Sequence, residues 1–169
     1  MTSITEIALG DVESELATTR RFLEELPDDK LEWKPHPKSN ALGRLAMHII
    51  ELVKLQGLIL SVDNGFDILA PTSGPPKRRL VSSRADALEA FDKSAARLRT
   101  AVAGATDASL AMPWTLRLGD RVMGTGTRAA VLRRNGISHL VHHRAQLGLY
   151  YRLLDIPVPD TYGPTADTK

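Results

Sequence analysis

A chain of 169 residues is long enough for one domain with a single core, and 43% hydrophobic with 25% charged residues is the balance of an ordinary globular protein. Its 22 basic and 20 acidic residues leave a net charge of +2, with the arginines spread along the chain, which argues against a dedicated nucleic-acid binder. There is no cysteine, so disulfides, thiolate metal sites and a cysteine nucleophile are excluded, and any metal must be held by imidazole, carboxylate, carbonyl or water.

The N-terminal MTSITEIALGDVESEL is acidic and amphipathic, unlike a signal peptide. Ile4, Leu9, Val12, Leu16, Leu23 and Leu26 recur at helical spacings and predict a first helix over residues 4–26. LPDDK stops it, and LEWKPHPKSN (31–40), with its two prolines, reads as a structured connector. A second helix is expected from Ser39 or Asn40, both good N-caps, to about Ser61. Residues 62–80 are turn-rich, and PPKRRL (75–80) within them reads as a solvated loop. Ser82 or Ser83 caps a third helix that continues to Gly104. LAMPWTLRLGDRVMG (110–124) places an LGDR turn between alternating residues, which suits a short hairpin or a loop. The fourth helix runs from about Thr127 to Asp155, and the proline-rich tail IPVPDTYGPTADTK follows. No apolar run approaches the roughly 18 residues of a membrane span, and a cytoplasmic protein is expected. Four helices with long connections predict an all-α fold, a four-helix bundle, as one domain over residues 1–157, with a tail over 158–169 that lies on the surface or is partly mobile.

The stretch ISHLVHHRAQL (137–147) carries three of the five histidines. At 100° per residue, with His139 at the origin, His143 lies about 40° away and Leu132, Leu147, Leu154 and Leu140 fall between about 20° and 100°, so both histidines sit on the apolar face. His142 falls at about 300°, on the flank beside Gln146. On the second helix, His48 lies at the centre of an apolar face made by Ala41, Leu45, Leu52, Leu55 and Ile59. Three histidines from two helices therefore project toward one interior. His139 and His143, at i and i+4, can reach one ion from one helical face. A metal would satisfy three buried neutral rings; without one, each ring needs a hydrogen-bond partner or costs roughly 1–3 kcal/mol. Glu51, three residues after His48, is open to three readings: a fourth ligand, a general base, or a partner for Arg44. The inward glutamates and Glu-x-x-His motifs of a di-iron carboxylate bundle are absent from the sequence. His36 reads as an exposed connector residue. Leu149, Leu153 and Val131 form a second apolar stripe, suited to a dimer seam or to packing beneath the tail.

The chain resembles the DinB/YfiT-like family of four-helix-bundle, metal-dependent proteins over nearly its whole length. The resemblance rests on WKPHPKSNALGRLAMHI (33–49), SHLVHHRAQLGLYYRLL (138–154) and VPDTYGP (158–164), in that order and spacing. It implies a triad of His48, His139 and His143 holding one divalent metal, zinc or nickel, and passes over His142. It also implies a homodimer, and activities that include transfer reactions with low-molecular-weight thiols and a thiol-dependent isomerase.

Three histidines with an open position are the layout of a catalytic zinc site. Such an ion can lower the pKa of a bound water toward about 7 or deprotonate a bound thiol. The lack of an inward glutamate as general base favours thiol transfer, with metal-dependent hydrolysis as the alternative and a non-catalytic helical interaction module as the rival from another class. Trp33, Trp114, Arg144 and Tyr162 are candidate pocket walls, each with a structural reading beside the functional one.

Overall fold

In the computed structural model, residues 3–70 and 80–168 are described. The PPKRRL loop lies outside them except for Leu80. The first helix is two: α1 (Ile4–Leu9) and α2 (Val12–Glu24). The break falls at Gly10, whose N–H bonds the Glu6 carbonyl so closely that a Cβ there would lie 2.7 Å from that oxygen. A side chain there would force the turn to shift, and Ile7, 70% exposed, offers no burial to carry α1 through it. Instead α1 is tied sideways by Thr5, whose N–H and hydroxyl both donate to Asp107.

α3 (Leu42–Ser61) starts slightly later than expected. Neither Ser39 nor Asn40 caps it. The connector's own backbone does: the Trp33 carbonyl accepts from the Leu42 N–H at 2.9 Å and the Leu31 carbonyl from the Gly43 N–H at 2.8 Å. The first orphan donors of the helix are thus satisfied by main chain. α4 (Arg84–Ala103) is capped as expected by Ser83, whose hydroxyl accepts from the Asp86 N–H, and ends at Gly104.

The all-α expectation is corrected by a small three-stranded mixed sheet in an otherwise mostly helical chain. β1 (Gly65–Asp67) pairs parallel with β2 (Pro113–Leu118), which pairs antiparallel with β3 (Arg121–Thr127). The β2–β3 hairpin is the one the LGDR turn suggested. Gly119, at φ 59, takes the first central position of the two-residue turn. β1 was hidden in the turn-rich segment, because Gly-Phe-Asp is too short to alternate visibly. Gly65, at φ 151, lies so close to β2 that a Cβ would be 2.3 Å from the Thr115 carbonyl oxygen. A short α5 (Asp107–Ala111), closed by a Thr106–Ser109 capping box, leads into β2. Trp114 on β2 is fully buried, its indole N–H donating to the Val62 carbonyl at 2.8 Å.

The fourth helix is continuous but not uniform. α6 (Arg128–Val131) runs into a π-helical turn (Leu132–Ser138) and then α7 (His139–Leu153). The wider i→i+5 turn advances fewer degrees per residue, which carries Val131 on the order of 100° around the axis from its place on a uniform wheel. Val131 is accordingly buried and not part of an outer stripe, while Leu149 and Leu153, beyond the turn, are exposed at 58% and 55%. α2 and α3 each pack against both α4 and α7. The shared core includes Leu23, Leu42, Ile49, Phe91, Leu98 and Leu147. Among the described residues, no helix is long and apolar enough to cross a membrane.

On the side of α7 facing α2, Arg144 is 1% exposed. Its guanidinium donates to the Glu15 carboxylate at 2.6 Å, to the Thr19 hydroxyl at 3.2 Å and to the Tyr162 hydroxyl at 3.0 Å. The Tyr162 hydroxyl in turn donates to Glu15 at 2.7 Å. The tail is further held by Arg152 on Asp167 and by Arg21 on the Asp160 carbonyl. Removing one partner of a buried pair leaves the other charge uncompensated, at a cost of about 3–5 kcal/mol. Glu15→Ala should therefore lower Tm by roughly 10 °C in a thermal scan. A change within about 2 °C would mean that the pair contributes little.

Candidate metal centre

His48 comes from the second turn of α3, His139 from the first residue of α7 and His143 from one turn further on. The structure brings all three together. One ring nitrogen from each lies within 4.8 Å of the others, and the His139 and His143 Nε2 atoms are 2.9 Å apart. The ring centroids are separated by 4.5 to 5.3 Å. All three residues are half-buried.

What lies behind the rings sets their chemistry. The His143 Nδ1 faces the Gln146 side-chain oxygen at 2.8 Å. The His48 Nδ1 faces the Glu51 carboxylate at 3.4 Å, and Arg44 donates to the same carboxylate oxygen at 2.8 Å. The Asn135 backbone, one turn before His139, opposes the lowering of that ring's pKa. The Gln146 and Glu51 oxygens accept, so the tautomers of His143 and His48 that donate to them carry the proton on the outer nitrogen. In that tautomer the His143 Nε2 lone pair faces the His139 Nε2 across 2.9 Å, the side from which the rings can hold a cation.

The electrostatics agree. Burial pushes the His143 pKa down to about 4; the neighbouring histidines add to the shift and the Gln146 hydrogen bond opposes it. His139 is lowered by burial and then by His48. Both rings are neutral, the ligating form, at pH 7. For Glu51, burial favours the acid, but hydrogen bonds from His48 and Arg44 outweigh it and hold the carboxyl below its ordinary value.

The flank residues keep to the flank. His142 is exposed, and its Nε2 meets the Gln146 Nε2 at 3.1 Å, so it touches the layer behind His143. His36 is exposed in the connector, accepting from the Lys38 N–H. The candidate walls have other engagements: Trp33 stands edge-on to Tyr150 at 5.6 Å, Trp114 is in the core, and Arg144 and Tyr162 belong to the Glu15 pair. A cleft of about 410 Å³ lined by Asp11, Glu15, Arg133, Ile137, Val141 and Tyr162 contains none of the three histidines. Sequence reasoning missed Gln146 as the partner of His143, though its position three residues later made it available by helical spacing.

The sequence model of the DinB superfamily matches residues 12–147. Among solved structures, a DinB-like protein from Bacillus cereus is 24% identical, with a TM-score of 0.68 over 92% of this chain and 95% of its own. A DinB-like protein from Bacillus subtilis is 18% identical, with a TM-score of 0.67 over 94% of this chain and 96% of its own. At these identities the likeness is one of fold. No curated protein matches the chain.

Partners behind histidine ligands typically matter by roughly 10–100-fold in metal affinity. Zinc titration against a competing chelator should show weakening on that scale for Glu51→Ala and Gln146→Ala. Wild-type affinity in both variants would separate these partners from any ion held by the rings.

Proposed function

This chain belongs to the DinB superfamily, and we propose that His48, His139 and His143 hold one divalent metal ion, zinc or nickel, in a metal-dependent enzyme that transfers low-molecular-weight thiols to electrophilic small molecules. The single observation that supports this reading is the convergence of one ring nitrogen from each histidine within 4.8 Å, with the acceptor oxygens of Glu51 and Gln146 behind His48 and His143. Three neutral nitrogens leave room for a further ligand, as catalytic zinc sites do and closed structural sites do not. A divalent ion there supplies a Lewis acid that favours the thiolate of a bound thiol near neutral pH.

The chain's own residues do the rest. The three rings fix the reacting centre between α3 and α7, and their outer partners hold ring orientation. Half-burial by both helices limits water around an incoming sulfur. In the transfer, sulfur forms a bond to the electrophilic carbon, the leaving group departs with the bonding pair, and the thiol proton passes to solvent. No base on the protein is required. This suits a site whose nearby carboxylate, Glu51, is engaged by both Arg44 and His48.

Metal-dependent hydrolysis is the second reading, favoured only by the closeness of that same carboxylate to His48. The two diverge at Glu51→Gln. A hydrolase using Glu51 as general base should lose about 10²–10⁴-fold in kcat, whereas thiol transfer should fall by no more than the loss in metal affinity. The first test is elemental analysis of protein purified without a nickel column, beside His48→Ala and His143→Ala. About one divalent ion per wild-type chain and little in either variant is expected, with metal-dependent consumption of a small thiol by an electrophile. Metal-free wild type that stays so with zinc or nickel present would leave an interaction module without catalysis.

The exposed Leu149 and Leu153 on α7 support a homodimer. Light scattering should give a dimer for wild type and a monomer for Leu149→Glu/Leu153→Glu; a monomeric wild type would remove the dimer from the proposal.

A further inference from the structure

The π-helical turn ends where His139 begins, and two close contacts seat it. Its sequence, LRRNGIS, contains Asn135 and Gly136, both weak helix formers. The first contact is with α3. A Cβ on Gly136 would lie 2.7 Å from the Gln56 Cγ and 3.4 Å from the Leu132 Cδ1. Gln56 is only 2% exposed, so its side chain has nowhere to swing. Its amide nitrogen is buried with no hydrogen-bond partner among the described residues, so packing against Gly136 is what this side chain contributes.

The second contact is with β3. The Asn135 side-chain nitrogen donates to the Met123 carbonyl at 3.4 Å, and its oxygen accepts from the Arg134 Nε at 3.2 Å. Gly124 faces this amide, and a Cβ there would lie 2.3 Å from its oxygen. Asn135 thus has two ends. Its side chain is fixed to the hairpin, and its backbone is in the π turn that leads directly into His139. The same turn sets the angular phase between the core face of α6 and the histidines of α7.

We infer that Gly136, Gln56, Asn135 and Gly124 are positioning residues for His139: they seat a π turn whose geometry places the ring opposite His48 and His143. This rests on the reading that the three histidines hold a metal. The hairpin and the late turns of α3, which supply no histidine, thereby determine how well an ion is held.

The test uses the full chain, cobalt(II) as a spectroscopic probe and zinc competition for affinity, at a temperature where every variant is folded. Gly136→Ala should weaken zinc binding by at least tenfold and change the cobalt visible spectrum, because the ring leaves its place. Gln56→Ala in the same chain removes the obstructing Cγ and should restore affinity and spectrum toward wild type. Asn135→Ala and Gly124→Ala disturb only the hairpin side, and should shift the spectrum even if Gly136→Ala does not fold. Phe91→Ala, a core variant on α4, should lower Tm and leave affinity and spectrum unchanged, which general destabilisation of the site would not. Wild-type affinity and spectrum in Gly136→Ala and Asn135→Ala, with wild type binding cobalt normally, overturns the inference alone. A wild type that binds neither cobalt nor zinc overturns the metal reading and this inference with it.

Discussion

A neutral imidazole has one N–H and one lone pair, and in a half-buried cluster of three the side that takes the proton decides what the cluster can be. Protons turned inward would give a hydrogen-bonded core network. Here a carboxylate stands behind His48 and an amide oxygen behind His143, and both are acceptors. Glu51 and Gln146 thereby fix the character of a centre neither of them enters. The surrounding fold serves this outer layer too: Arg44 donates to the Glu51 carboxylate.

The helix that carries two of the histidines is anchored on both sides by unlike means. Toward α3 it presents the rings and the glycine contact at Gln56. Toward α2 it presents Arg144, buried against Glu15. An ion pair in that position adds little net stability over an apolar contact of equal size, but it is directional. With Thr19 and Tyr162 it restricts rotation of α7 about its own axis, and rotation is the motion that would separate His139 and His143 from His48.

Much of this was legible in the residues, for identifiable reasons. His48, His139 and His143 were found because two regular helical faces could be drawn independently and both pointed inward. The Ser83 cap and the LGDR hairpin were found because their chemistry is local. What escaped was set by partners distant in the chain. The break at Gly10 depends on how closely one carbonyl approaches. α3 is capped by the Trp33 and Leu31 carbonyls, which every residue possesses. β1 is a strand only because β2 lies beside it, and that overturned the all-α reading. The π turn misplaced Val131 because a wheel assumes a constant pitch. Arg144 and Trp114 were drawn as pocket walls since large polar and aromatic side chains serve at sites and in cores alike; burial assigns both to the core.

Tyr162 lies far from Glu15 in sequence, yet its hydroxyl completes the coordination of a buried charge. Positions 15, 144 and 162 are consequently one unit of change. Replacing any one alone strands a charge or a polar group inside the protein, whereas a concerted exchange for apolar residues does not. In chains that share this fold, these three positions should vary together, so that an altered tail is accompanied by altered residues at the α2–α7 interface.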